Sequence, residues 1–155
     1  MRILVFSDSH GDQGSMMAAI EEQRDVNTIL FLGDGMGDIE KMEELYPAKI
    51  FYKVRGNCDF ASLEAATRIL ELSGKRILMT HGHEYHVKFG FREAEYTARR
   101  NGCDLLLFGH THQPLTEYRD GMYLMNPGSL ARRNSNTYGV VDLEPSGIFC
   151  NIIEL

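Results

Sequence analysis

The chain has 155 residues and a formal net charge of −6, a length that fits one domain with a sizeable core. The acidic balance argues against a general binder of nucleic acid or of anionic membrane surfaces, unless bound cations offset the carboxylates. Cys58, Cys103 and Cys150 are odd in number and widely spaced, so they imply neither a disulfide framework nor a zinc knuckle. No apolar run approaches the roughly 20 residues that span a bilayer, and Met1 leads straight into Ile3-Leu4-Val5-Phe6 without a charged leader or a cleavage site. The expectation is a single domain over residues 1–155, reduced and cytoplasmic, with no membrane partner.

Residues 3–6 form a short apolar run, which reads as a buried strand. It ends in Ser7-Asp8-Ser9-His10-Gly11. A helix follows over 15–23, with Met16, Met17, Ala19 and Ile20 at helical spacing. The second strand, 28–32, stops at Gly33-Asp34-Gly35-Met36-Gly37-Asp38. Three Gly in five residues let the backbone turn sharply there. Asp38 fits as the N-cap of a helix over 39–45, which leaves Asp34 pointing at a site. The third strand, 50–54, ends in Arg55-Gly56-Asn57-Cys58-Asp59.

Two alternating runs, 67–72 and 75–79, flank Ser73-Gly74 and read as a hairpin. The second run leads into Thr80-His81-Gly82-His83. A helix over 93–100 closes at Asn101-Gly102. Then comes Leu-Leu-Leu-Phe-Gly-His-Thr-His at 105–112, a core strand (105–108) that delivers His110 and His112 to its C-terminal end. Strands at 122–125, 138–143 and 148–153 complete the chain, with a turn at Asn126-Pro127-Gly128-Ser129-Leu130.

Five strand ends thus carry polar clusters, and five of the six His lie at them. Open α/β sheets bind their ligands at that end of the strands. Asp8, His10, Asp34, Asn57, His81, His110 and His112 make seven candidate donors of mixed oxygen and nitrogen type. That is too many for one tetrahedral zinc and suits two five- or six-coordinate first-row ions sharing a carboxylate. Such a pair, about 3.5–4 Å apart, is the clamp used for in-line displacement at phosphorus.

In their order, Asp8-Ser9-His10, Gly33-Asp34, Gly56-Asn57-Cys58-Asp59, His81-Gly82-His83 and Gly109-His110-Thr111-His112 resemble the calcineurin-like metallophosphoesterases. The likeness is closest to the small prokaryotic phosphodiesterases of the YfcE type, and it extends over essentially the whole chain. It implies an α/β fold of two mixed sheets packed as a sandwich and flanked by helices. It also implies a first metal on Asp8, His10 and His112, a bridging Asp34, and a second metal on Asn57, His81 and His110. The implied activity is phosphodiester hydrolysis by attack of a hydroxide bridging two divalent ions, Mn or Ni first, with Zn, Fe or Co as alternatives.

One position departs from the pattern. Many members of the superfamily carry His after the Asn, where it helps the transition state or the leaving group; here the residue is Cys58, a poor proton donor unless its pKa is tuned. His83 is the replacement candidate, as acid or as substrate contact. Asp38 and Asp59 are expected behind the donors, fixing an imidazole or amide orientation. Arg55 and the Arg132-Arg133 pair either meet phosphate or are solvated charge, and Tyr85, His86 and Lys88 either line the entrance or form a polar rim. The expected partner is a small phosphodiester rather than long nucleic acid, with a homo-oligomer possible. Two other functions compete: a phosphomonoesterase, and a non-catalytic metal-binding scaffold for protein interaction on the same fold.

Overall fold

A computed structural model describes residues 1–155. In chain order the elements are β1 (Arg2–Phe6), α1 (Gln13–Glu22), β2 (Thr28–Phe31), α2 (Met36–Leu45), β3 (Ile50–Lys53), β4 (Thr67–Leu72), β5 (Lys75–Thr80), α3 (Arg92–Arg100), β6 (Leu105–Leu107), β7 (Leu115–Arg119), β8 (Met122–Asn126), β9 (Thr137–Glu144) and β10 (Gly147–Glu154). They build two five-stranded mixed sheets, ordered β10-β9-β1-β2-β3 and β4-β5-β6-β8-β7. The fold is α/β, as the family resemblance implies.

The reason lies in which face each residue uses. Strands expose alternate side chains to opposite faces. On β1, Ile3 and Val5 join Leu30, Leu32, Ile77, Leu105 and Val141 between the two sheets. Leu4 and Phe6 face the other way, against Met16 and Ile20 of α1 and Ile39 and Met42 of α2. On the second sheet, Leu78, Leu106 and Leu124 pack outward against Ala94 and Ala98 of α3. Strands buried on both faces lose their polar alternation, which is why they read as short continuous apolar runs. Each fully buried Leu or Ile contributes about 1.5–3 kcal/mol.

The β1–α1–β2–α2–β3 stretch makes parallel pairs β1/β2 and β2/β3, and β5/β6 and β6/β8 are parallel in the other sheet. Parallel strands point their C-terminal ends the same way. The loops after β1, β2, β3, β5 and β6 therefore collect at one end of the sandwich.

Some expectations are corrected. Helix α2 begins at Met36, not at 39, and Gly35 is its N-cap without a side-chain hydrogen bond. Asp38 is therefore inside the first turn and caps nothing. Helix α1 starts at Gln13, where Asp12 accepts from Ser15 N. Strand β7 was not anticipated: it is an edge strand beside β8, exposed or half-buried along its length, so it carries no core-facing period to read. No helix is long and apolar enough to cross a membrane.

Candidate metal centre

The seven predicted donors meet where the strand ends converge; six of them fall into two groups, and Asn57 adjoins the second through His81. Asp8, His10 and His112 form one; Asp34, His81 and His110 form the other, each with its donor atoms within 4.8 Å of one another. Asp34 also lies within that range of His10, so it joins the two groups.

In the second group His81 is fully buried. Its Nδ1–H donates to the Leu32 carbonyl at 2.8 Å, because a carbonyl can only accept. Its Nε2 then faces Asn57 Oδ1 at 3.1 Å, His110 Nδ1 at 3.1 Å and Asp34 Oδ2 at 3.4 Å. One proton on Nε2 satisfies at most one of these partners; the remaining lone pairs confront one another. A cation among them satisfies all four atoms, so the donor set fits a divalent ion of borderline character.

The first group has the same defect. His10 Nε2 and His112 Nε2 stand 3.2 Å apart. Asp8 Oδ1 lies 3.1 Å from His112 Nε2 and 3.7 Å from His10 Nε2, yet it is buried with no hydrogen-bond partner. A buried carboxylate oxygen without a partner is costly, and a cation at that spot removes the cost. The other oxygen, Oδ2, is held by Ser7 Oγ and by the His110 N–H.

Charge follows the same layout. Burial pushes the Asp34 carboxyl up, but the hydrogen bond and charge of His81 and the Cys58 N–H outweigh it, leaving Asp34 far below the usual carboxylate range. Burial pushes His81 down, and Asp34 and Asp8 together raise it above its ordinary value. His110 falls to about 4, through burial first and then the His81 charge. Burial and the nearby Asp34 push the Cys58 thiol up to about 11, so the free thiol is protonated at neutral pH.

The backbone here is unusual. Asp8, His10, Asp34, His110 and His112 all have φ between +46° and +66°, a left-handed conformation that costs a non-glycine residue roughly 1–2 kcal/mol. Two glycines make the convergence possible. A Cβ at Gly33 (φ +97°) would strike the Gly56 backbone, and one at Gly109 would strike Ser7 Oγ and Asp8.

Asp59 and Asp38 sit close to the donors, but they hold backbone rather than rings. Asp59 accepts from the N–H groups of Asp34, Gly35, Met36 and Gly56 at 2.8–3.0 Å. It lies across the start of α2, where unpaired N–H groups attract a carboxylate, and ties two donor loops together. Asp38 accepts from Ser9 Oγ and Gly11 N and fixes the loop of His10. Neither is hydrogen-bonded to an imidazole: Asp59 is taken up by main-chain N–H groups, and Asp38 by the Ser9 hydroxyl and the Gly11 N–H.

His83 packs against both His81 and His110, with ring centroids 5.4 and 6.2 Å away, and its buried Nδ1 has no partner. His86 stands apart, paired with Glu93 at the surface, and Arg55 pairs with Glu84 at 3.6 Å. Two residues of consequence escaped the sequence: Asn126 and Ser129, both fully buried. Asn126 Nδ2 donates to Gly109 O and Thr111 Oγ1, holding the loop of His110 and His112. Ser129 Oγ donates to the Asp8 carbonyl. Their signal is the polar pair flanking Pro127-Gly128, which reads as a turn and fits the family resemblance but carries no role for either side chain.

Comparison with known proteins agrees with this geometry. The calcineurin-like phosphoesterase superfamily domain matches residues 1–146. A probable metallophosphoesterase of Bacillus subtilis, YsnB, is 32% identical over 149 residues, covering 93% of this chain and 85% of that protein. Phosphodiesterase YfcE of Escherichia coli K12 is 30% identical over 168 residues, covering 92% and 88%. A solved structure from Streptococcus pneumoniae TIGR4, described as a conserved uncharacterized protein and predicted phosphoesterase, superposes with a TM-score of 0.83 at 25% identity, covering 99% of this chain and 88% of that one.

Proposed function

This chain belongs to the calcineurin-like phosphoesterase superfamily, and from that premise we propose that it is a metal-dependent phosphodiesterase with a binuclear centre, acting on a small diester in the cytoplasm. The observation that carries the reading is the facing of unshared lone pairs at two adjoining points, around His81 Nε2 and around Asp8 Oδ1. On this reading Asp8, His10 and His112 hold one divalent ion, Asn57, His81 and His110 hold the other, and Asp34 serves both. Nitrogen and oxygen donors without a thiolate suit Mn or Ni, with Zn, Fe and Co as alternatives.

When bound, two such ions supply a water-derived nucleophile near neutral pH and neutralise charge building on the phosphoryl oxygens. The protein's own contribution is placement. The Leu32 carbonyl fixes the tautomer and plane of His81. Ser7 and the His110 N–H aim the Asp8 carboxylate. His83 is held below its ordinary pKa by burial and by the His81 charge, so at pH 7 its ring is mainly neutral. On this reading it serves as a substrate contact. Without a strong resident acid, a diester with a good leaving group is the favoured substrate.

The test uses metal-stripped protein with Mn²⁺, Ni²⁺, Zn²⁺ or Mg²⁺ restored, an activated aryl diester beside the matching monoester, and an Asn57→Ala/His81→Ala control. The expected result is metal-dependent turnover, faster on the diester and lost in the control. Faster monoester hydrolysis would make the protein a phosphomonoesterase instead. Stoichiometric cation binding without turnover of either ester would leave the scaffold function.

A further inference from the structure

We infer that Arg133 is the phosphate contact of this site, a guanidinium that holds a non-bridging oxygen of the phosphoryl group beside His10 and Asp34. The inference rests on the phosphoesterase reading above and adds a residue to it.

A groove of about 370 Å³ opens beside two of the donors, His10 and Asp34, and is lined further by Asp38, Cys58, Asp59 and Arg133, with glycine backbone and Met36 completing the wall. Arg133 is the only lysine or arginine in that wall. Cys58 offers a thiol there, not a cation. Three carboxylates face the same space, and an exposed Arg beside them would ordinarily fold onto one. They are already committed: Asp59 to four backbone N–H groups, Asp38 to Ser9 and Gly11, and Asp34 to the Cys58 N–H and His81. Arg55 and Arg132 have partners, in Glu84 and in Ser15. Arg133 has none and stays available to an anion.

Its position is built rather than incidental. The Arg132 N–H donates to Asp12, and Asn134 Nδ2 donates to Ser129 Oγ. Ser129 in turn holds the Asp8 carbonyl. The residues on both sides of Arg133, Arg132 through its backbone and Asn134 through its side chain, are thus tied to the framework that places Asp8 and His10. A planar guanidinium pairs two N–H groups with two oxygens of a phosphoryl group, a geometry that a lysine only partly reproduces.

The experiment is calorimetric titration of inorganic phosphate into the metal-loaded protein, for wild type, Arg133→Gln, Arg133→Lys and Arg132→Gln. Metal content and thermal melts are measured on the same samples. Arg133→Gln should weaken phosphate binding by about tenfold, Arg133→Lys by less, and Arg132→Gln, which removes the same charge one residue away, by under about twofold. With the aryl diester, Arg133→Gln should lower kcat/KM by about tenfold or more at unchanged metal content. The inference is overturned if Arg133→Gln binds phosphate like wild type, or if Arg132→Gln loses as much, which would make the effect a diffuse surface field. Absence of turnover in the wild type with every ion would sink the proposed activity, while the calorimetry would still decide Arg133.

Discussion

The two donor groups use the same kinds of atom and are held very differently. His81 is fully buried, and a backbone carbonyl pins its ring. Around it, Asp34 is gripped by the Cys58 N–H, and its loop hangs on Asp59. In the other group the side chains of His10 and His112 are 17% and 35% exposed, and neither ring has a carbonyl partner of that kind; their loops are held by Asp38 and Asn126, but only the Asp8 side chain is locked. The lesson is that one half of the centre is pre-organised and the other depends on what binds to it. His81 and Asp34 are buried and oriented and lose little freedom on binding; with two such donors beside the exposed Asn57, the His81 group should be the tighter cation site and the His10 group the exchangeable one.

The largest effect should come from the residue shared by both halves. Asp34→Ala should cost more than about a hundredfold in turnover, since losing a mere outer partner of a ligand already costs 10–100-fold. Metal analysis after dialysis should find both ions depleted. Retention of one full equivalent would show that Asp34 serves a single group.

Next, His81→Ala and His112→Ala should separate the halves. Calorimetry should show His81→Ala abolishing the tight event and His112→Ala weakening only the second, looser one. Equal losses in both variants would break the comparison.

Asp59→Asn tests whether the order of the His81 half comes from its loops. Weakening the bonds from four N–H groups should lower stability by about 1–3 kcal/mol in denaturant unfolding and loosen the tight site before the other. A melt unchanged from wild type would remove Asp59 from the account.

The smallest effect is in protons. His81 is raised above its ordinary value by Asp34 and Asp8 against the opposing pull of burial, so it keeps its proton to a higher pH than a free imidazole, and a cation must displace that proton where it is still held. Binding should then release up to about one proton, and affinity should climb as pH rises through the His81 pKa. His110, at about 4, is already neutral and releases none. Calorimetry in two buffers of different ionisation enthalpy reads the number; His81→Gln should abolish the release.

Much of this was legible before the fold was known, for a physical reason. Strands buried on both faces cannot alternate, so β1, β2 and β6 announce themselves as apolar runs, and a polar donor right after such a run stands out. The family resemblance then supplied the sandwich. What was hidden is what depends on contact between distant parts of the chain. Asp38 has the local look of a cap, yet it is Asp59, more than twenty residues later, whose carboxylate covers the start of α2. Asn126 and Ser129 look like turn residues and are the posts on which the His110 loop and Asp8 hang. Strand β7 has no buried face to print a pattern.

Five donors sit on left-handed backbone, and that has a consequence for how such a chain drifts. At His10 and His112, where the side chain is not tied down by a backbone carbonyl, replacement by glycine relieves roughly 1–2 kcal/mol of strain against about 0.5–1 kcal/mol of added chain entropy. Random change at these positions therefore meets little resistance from folding and can even be rewarded by it. Descendants that no longer need catalysis would shed the exposed histidines first, keep the sandwich, and inherit a sturdier body with a smooth, vacant mouth.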